Sequence, residues 1–195
     1  MKKYFLILLV LNFLISSDKS VWNILSEDPV LIKVMETDYP HCQSEIIIDD
    51  SIINILKVIE DVDSYKSFFD SIVISDMNTN GEVRLGIDMP FPFSDRDYTI
   101  KFNRLEQENE ISYLYNPIVS ENFPEDENYI RLIDARGGWI LTKIKDNKTL
   151  VTYKWNGDMR GDFPKWAYSR AWVKQGNEIM LNLKDEVKRR NKSND

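Results

Sequence analysis

The sequence predicts one α+β domain, a set of antiparallel β-strands followed by a single long C-terminal α-helix, and three observations lead there. Between residues 30 and 156 the apolar residues fall in short runs enriched in Val, Ile, Tyr and Phe, the composition of half-buried strands. Turn-forming residues separate these runs, as at 78–81 and 146–148. Beyond Gly161 the apolar spacing changes from two to three and four, which is the helical period. With 195 residues, 43% of them hydrophobic and 12% aromatic, the chain can bury one sizeable core and hardly two.

The N-terminus reads differently from the rest. Lys2 and Lys3 precede an apolar run over 4–11, continued by Phe13, Leu14 and Ile15 and closed by Ser16 and Ser17. This is the layout of an export signal over 1–17, with cleavage after Ser16 or Ser17, and it predicts a periplasmic or secreted protein. The run of about 12 residues is short of the roughly 20 that span a bilayer. An uncleaved N-terminal helix, anchoring the chain, is the alternative. Removal of Lys2 and Lys3 would take the formal charge from -7 to -9. The domain proper is expected over 21–190, with a frayed tail over 191–195.

Strands are expected first over 30–35 and 42–48. Asp49, Asp50 and Ser51 then supply N-cap chemistry for a helix whose Ile52, Ile55, Leu56 and Ile59 share one face, ending near Asp61. Tyr65, Phe68 and Phe69 make a second short amphipathic turn, and 72–74 resumes strand character. Val83, Leu85, Ile87 and Met89 alternate with Arg84, Gly86 and Asp88, the cleanest period-two segment in the chain. Pro90 and Pro92 stop it, since proline donates no ladder hydrogen bond. Tyr98, Ile100 and Phe102 begin the next strand, and Ile111, Tyr113 and Tyr115 the one after. Beyond an acidic loop over 117–127, one long strand is expected over 129–144, bent or bulged at Gly137 and Gly138. Val151, Tyr153 and Trp155 mark the last strand. Asp162 is the expected N-cap of the final helix and Pro164 suits its first turn. A stripe of Trp166, Arg170, Val173, Asn177, Met180 and Lys184 runs along it. At about 25 residues, or roughly 38 Å, the helix is long enough to cross a whole curved sheet.

Several function classes are excluded by what the chain lacks. An acidic surface repels phosphate backbones, so nucleic acid is not an expected partner. His41 is the only histidine, which leaves no multi-histidine metal site and no spare imidazole for a triad. Cys42 is the only cysteine, so no intrachain disulfide forms, and it reads as a small buried apolar group before it reads as a nucleophile. No phosphate-cradling or dinucleotide motif occurs, and no cofactor or metal is expected. Arg96 is the exception to a bland pattern. Parity puts it with Tyr98, Ile100 and Phe102 and opposite Asp95 and Asp97, so its charge needs a partner. Either it recognises a ligand headgroup, or it lies at the strand's mouth and pairs with a loop carboxylate. Arg170 poses the same question on the helix.

Three stretches resemble the START domain family, the lipid-transfer branch of the START-like helix-grip superfamily. Residues 89–102, reading MPFPFSDRDYTIKF, are similar to its Arg-Asp-aromatic strand. Gly137-Gly138-Trp139-Ile140-Leu141 followed by Thr149-Leu150-Val151-Thr152-Tyr153 resembles its late hairpin, and Phe163-Pro164-Lys165-Trp166 with Arg170-Ala171 resembles the start of its C-terminal helix. The resemblance implies a helix-grip fold, a curved antiparallel β-sheet wrapped around the long C-terminal α-helix, with an apolar ligand held between them. The acid and base pair found inside some animal cavities has no match, because Val83 and Phe102 stand at the aligned positions.

On that fold the inward-facing side chains become candidates to line a cavity. They are Val83, Leu85 and Ile87, then Arg96, Tyr98, Ile100 and Phe102, then Tyr113 and Tyr115. Trp139 and Leu141, Tyr153 and Trp155, and on the helix Trp166, Arg170 and Val173 complete the set. Periodicity alone does not separate a filled core from a lined cavity. The expected function is binding and transfer of a lipid or similar hydrophobe by a monomer that meets membranes transiently. The alternatives are a polyketide cyclase-like or hydrolase enzyme on the same fold, for which no tuned base is evident, and an interaction module with a filled core.

Overall fold

The computed structural model describes residues 21–37, 40–156, 159–161 and 163–192. The export signal expected over 1–17, the N-cap expected at Asp162 and residues 193–195 of the tail lie outside them. Chain order runs β1 (Trp22–Ser26), β2 (Leu31–Met35), β3 (His41–Ile48), α1 (Ile52–Glu60), a short 3-10 helix (Val62–Ser67), β4 (Ile72–Met77) and β5 (Glu82–Ile87). It continues through β6 (Asp95–Gln107), β7 (Glu110–Pro117), β8 (Tyr129–Arg131), β9 (Gly137–Lys145) and β10 (Lys148–Asn156) to α2 (Tyr168–Lys192).

The strands form one sheet in the order β1-β2-β3-β10-β9-β7-β6-β5-β4, which curves around α2. Every pairing along this path is antiparallel. Helix α1 starts where expected, with the Ser51 hydroxyl accepting from the Asn54 N–H at 3.3 Å. Ile55, Leu56, Val58 and Ile59 form its buried face.

Four expectations are corrected. β1 carries no period-two signal because its residues are exposed or half-buried at a sheet edge, so its sequence did not announce it. The long strand expected over 129–144 is two elements: β8 pairs in parallel with β6 at Asp95–Asp97, and β9 begins only at Gly137. Gly138 opens β9 with a φ of +136°, and a Cβ there would sit 2.4 Å from the Tyr113 carbonyl oxygen. The glycine pair therefore serves close backbone approach rather than a mid-strand bulge. The tail expected to fray over 191–195 is helical at its start, since α2 continues to Lys192. Arg190 pairs with Asp61 at 2.7 Å and the Asn191 amide donates to Asp50.

The fourth correction concerns the buried face of α2. Trp172, Gly176, Ile179, Met180, Leu183, Glu186 and Val187 point inward, whereas Trp166, Arg170 and Lys184 of the expected stripe are exposed. The inward line is fixed by contact at Gly176, where an added Cβ would meet Ile32 Cδ1 at 2.9 Å. A helix has no side chain to hold it away there, so it lies directly on β2 and β3.

Candidate functional site

Along one side of the N-terminal half of α2 the helix stands off the sheet, and a cavity of about 280 Å³ lies between them. The period-two strands direct alternate side chains into it: Leu85 and Ile87 from β5, Arg96, Tyr98 and Phe102 from β6, Tyr115 from β7. Trp139 and Tyr153 follow from β9 and β10, and α2 contributes Arg170. Trp166, just ahead of α2, stands at the mouth, 81% exposed while still lining the opening.

Six sequence-predicted candidates lie elsewhere. Val83, Ile100 and Leu141 face inward as expected, but they are fully buried in packed core. Val83 and Ile100 are cross-strand partners, and Leu141 sits on β9, against which α1 packs. Period two fixes the face of a strand and not the point along it where the filling stops. Tyr113 stacks on Phe102 with ring centroids 4.3 Å apart and stays outside the cavity. Val173 packs on the core from the side of α2. Trp155 lines a smaller adjoining recess.

Other lining residues escaped the sequence reading. Tyr65 and Phe69 enter from the turn after α1, whose aromatic spacing was visible without its destination. Phe93, Leu132, Met159 and Phe163 come from loops, where no periodicity exists to reveal them. Lys174 and Glu178 continue from Arg170 at four-residue spacing, a signal that could have found them. Glu178 ties α2 to the sheet: the Ser71 N–H donates to its carboxylate at 2.7 Å, and the Ser71 hydroxyl donates to the same oxygen.

Neighbouring residues on β6 have opposite fates. Asp97, fully buried on the outer face, receives two hydrogen bonds from Arg131 at 2.7 and 2.8 Å and one from Arg84 at 2.8 Å. Arg84 reaches on to Asp126 at 3.2 Å, and Arg131 donates to the Phe123 and Pro124 carbonyls. This network pins the acidic loop and β8 to the sheet. Arg96, on the cavity side, is only 2% exposed and has no ion pair with any described carboxylate. It donates instead to the backbone carbonyls of Ser94, Met159 and Arg160, the latter two at 3.1 and 3.2 Å. Burial lowers its pKa. The expected loop carboxylate is replaced by loop carbonyls, which satisfy the N–H groups without cancelling the charge.

The cavity floor is aromatic and neutral. Tyr115 and Tyr153 hydroxyls are hydrogen-bonded at 3.1 Å, Tyr98 stacks on Tyr115, and Tyr153 stacks on Trp155. Gly137 makes room for this pair, since a Cβ there would lie 2.7 Å from the Tyr115 hydroxyl. Burial raises the pKa of Tyr65, Tyr98 and Tyr115 well above the ordinary value and pushes Tyr153 up to about 12. Away from the cavity, burial pushes the Cys42 thiol up to about 12, the environment of a packing group and not of a nucleophile. His41 is exposed at the start of β3.

No protein-family model matches the sequence, and no curated protein matches it either. Solved structures do. A STAR-related lipid transfer protein from Xanthomonas axonopodis superposes with a TM-score of 0.74 at 18% identity, covering 86% of this chain and 98% of that one. Human StAR-related lipid transfer protein 5 superposes with a TM-score of 0.78 at 14% identity, covering 89% of each chain. The Zhui aromatase/cyclase from a Streptomyces strain gives 0.50 at 14% identity, covering 77% of this chain and 94% of that one. The chain has the START-type helix-grip fold.

Proposed function

We propose that this helix-grip domain binds one lipid-like hydrophobe between its sheet and the N-terminal half of α2, and carries it without converting it. The observation behind this reading is the cavity itself: its walls are mainly aromatic and aliphatic, and its 280 Å³ falls just below the range of about 300–1,000 Å³ for small-molecule sites. Each methylene moved from water into such a space contributes about 0.8 kcal/mol, so a ligand of roughly ten methylenes gains about 8 kcal/mol by staying inside. The lipid transfer proteins of the same fold support the reading.

Exchange of such a ligand calls for a surface that receives it. Phe91, 97% exposed, adjoins the lining residues Met89, Pro90 and Phe93, and exposed Trp166 stands at the same mouth beside Lys165, Arg170 and Lys174. Aromatic rings next to cationic side chains suit a lipid headgroup interface. The protein acts, on this reading, as a monomer in the envelope or outside the cell.

The test is extraction of the purified protein with organic solvent and mass spectrometry of the extract. One hydrophobe near equimolar amount is the expected result. A protein that emerges empty and binds no hydrophobe offered to it sinks the proposal. A second reading, an enzyme of the cyclase type, draws on Arg96 and Tyr98 lining the cavity and on the likeness to the aromatase/cyclase. Turnover of a polyketide-like substrate, lost on substitution of a still-folded Arg96 variant, would favour it.

A further inference from the structure

Next to the main cavity lies a recess of about 40 Å³ that shares Ile87, Tyr98, Tyr115, Tyr153 and Gln175 with it and adds Trp155. The size suits one small polar group, and two donors of the wall are unspent. The Trp155 indole is 5% exposed and its Nε1, a donor only, is buried without a partner. Of the two protons on the Tyr115 and Tyr153 hydroxyls, their mutual hydrogen bond uses one and leaves one to give. The amide of Asn156 is already committed, donating to the Asp134 carbonyl and accepting from the Arg136 N–H. The charged residues of the recess, Asp134 and Arg160, are exposed at its rim, so no buried cation waits there for an anion.

We propose that this recess receives an uncharged oxygen of the bound ligand, a carbonyl, ether or hydroxyl, held by the Trp155 N–H and the Tyr115–Tyr153 hydroxyl pair. The inference rests on the carrier reading above and deepens it. The ligand is then an amphiphile with one neutral acceptor, placed by hydrogen bonds at the aromatic end while its apolar part fills the larger space. An unpaired buried N–H is costly, so an acceptor that reaches it gains more than a surface hydrogen bond would give. A carboxylate in the same place would find no cation inside the recess, since Arg160 is exposed at its rim and the neighbouring Arg96 is held by the Ser94, Met159 and Arg160 carbonyls. Above neutral pH the hydroxyls keep their protons, because burial holds both tyrosines above their ordinary pKa.

The experiment displaces a polarity-sensitive fluorescent probe from the full chain with an alkane, a methyl ketone, a carboxylate and a quaternary ammonium of equal chain length. The ketone is expected to bind about tenfold more tightly than the alkane. Trp155→Phe, which keeps an aromatic ring on Tyr153, should reduce that ketone-over-alkane preference to about twofold or less. If Trp155→Phe fails to fold, the Tyr115→Phe, Tyr153→Phe double variant makes the same test. Equal affinity for ketone and alkane, a preference that survives both variants, or tightest binding of the carboxylate or the ammonium overturns the inference. Binding of none of the four removes the carrier reading with it, whereas alkane binding without ketone preference removes this inference alone.

Discussion

The two halves of α2 rest on different foundations. Its C-terminal half lies on packed core: Met180 and Leu183 are fully buried, and Arg190 links to Asp61 at the end of α1. Its N-terminal half touches the sheet at Gly176 against Ile32 and borders a hollow along its other side, held there by Glu178 on Ser71 and by an aromatic chain in which Tyr168 stacks on Phe163 and approaches Trp172. Close packing transmits strain, and a hollow does not. The C-terminal half is therefore the expected stability element and, on the carrier reading proposed above, the N-terminal half the element expected to move, a division that can be broken experimentally from either side.

The largest effect is expected beside the N-terminal half, at high pH. Tyr65, Tyr98, Tyr115 and Tyr153 have folded-state pKa values raised above the unfolded value near 10. Their contribution is complete below that pH and is lost as pH rises through the folded values. Each can remove up to about 1.4 kcal/mol per pH unit once the unfolded chain ionises. Denaturant midpoints at pH 9 and 11 measure this, and a Tyr98→Phe, Tyr115→Phe variant should show a shallower decline. An unchanged slope would contradict the assigned burial.

On the C-terminal half, Leu183→Ala should cost about 2–5 kcal/mol in chemical denaturation, as for a fully buried leucine. A loss under 1 kcal/mol would place Leu183 outside the core. Glu186 comes next. Hydrogen bonds from Arg189 and then Arg190 hold its carboxyl below the usual range. A depressed pKa gives stability that is present above the unfolded value, near 4.3, and is lost as pH falls through the folded one. Glu186→Gln should cost about 1–2 kcal/mol at pH 7, discounted because Arg189 is largely exposed. The difference from the parent should shrink at pH 3, and a constant difference would deny the ion pairing. Smallest in stability is Trp166→Ala, within about 0.5 kcal/mol because the ring is exposed. Its effect should appear instead as weaker sedimentation with anionic vesicles, and undiminished sedimentation would detach the mouth from the membrane.

Parity read from sequence separated Arg96 from Asp97 correctly, because consecutive strand residues must face opposite sides. It did not reveal that both are buried, since the loop covering Asp97 and the 159–161 segment capping Arg96 are brought there by long-range contacts. Leu85 and Val83 look alike in sequence, and one lines the hollow while the other fills the core. The loop residues Phe93, Met159 and Phe163 carried no pattern to read.

Short-range chemistry determined most of the strands, β1 and the division of β8 from β9 excepted, together with the helix at Ser51, the long terminal helix and the face each strand residue takes, because alternation and capping act over a few residues. Where the space stays open is a property of three-dimensional packing. Only the tertiary structure set α2 down at Gly176 and held it off at Arg170, leaving a space whose walls come from segments as distant as Tyr65 and Ile179.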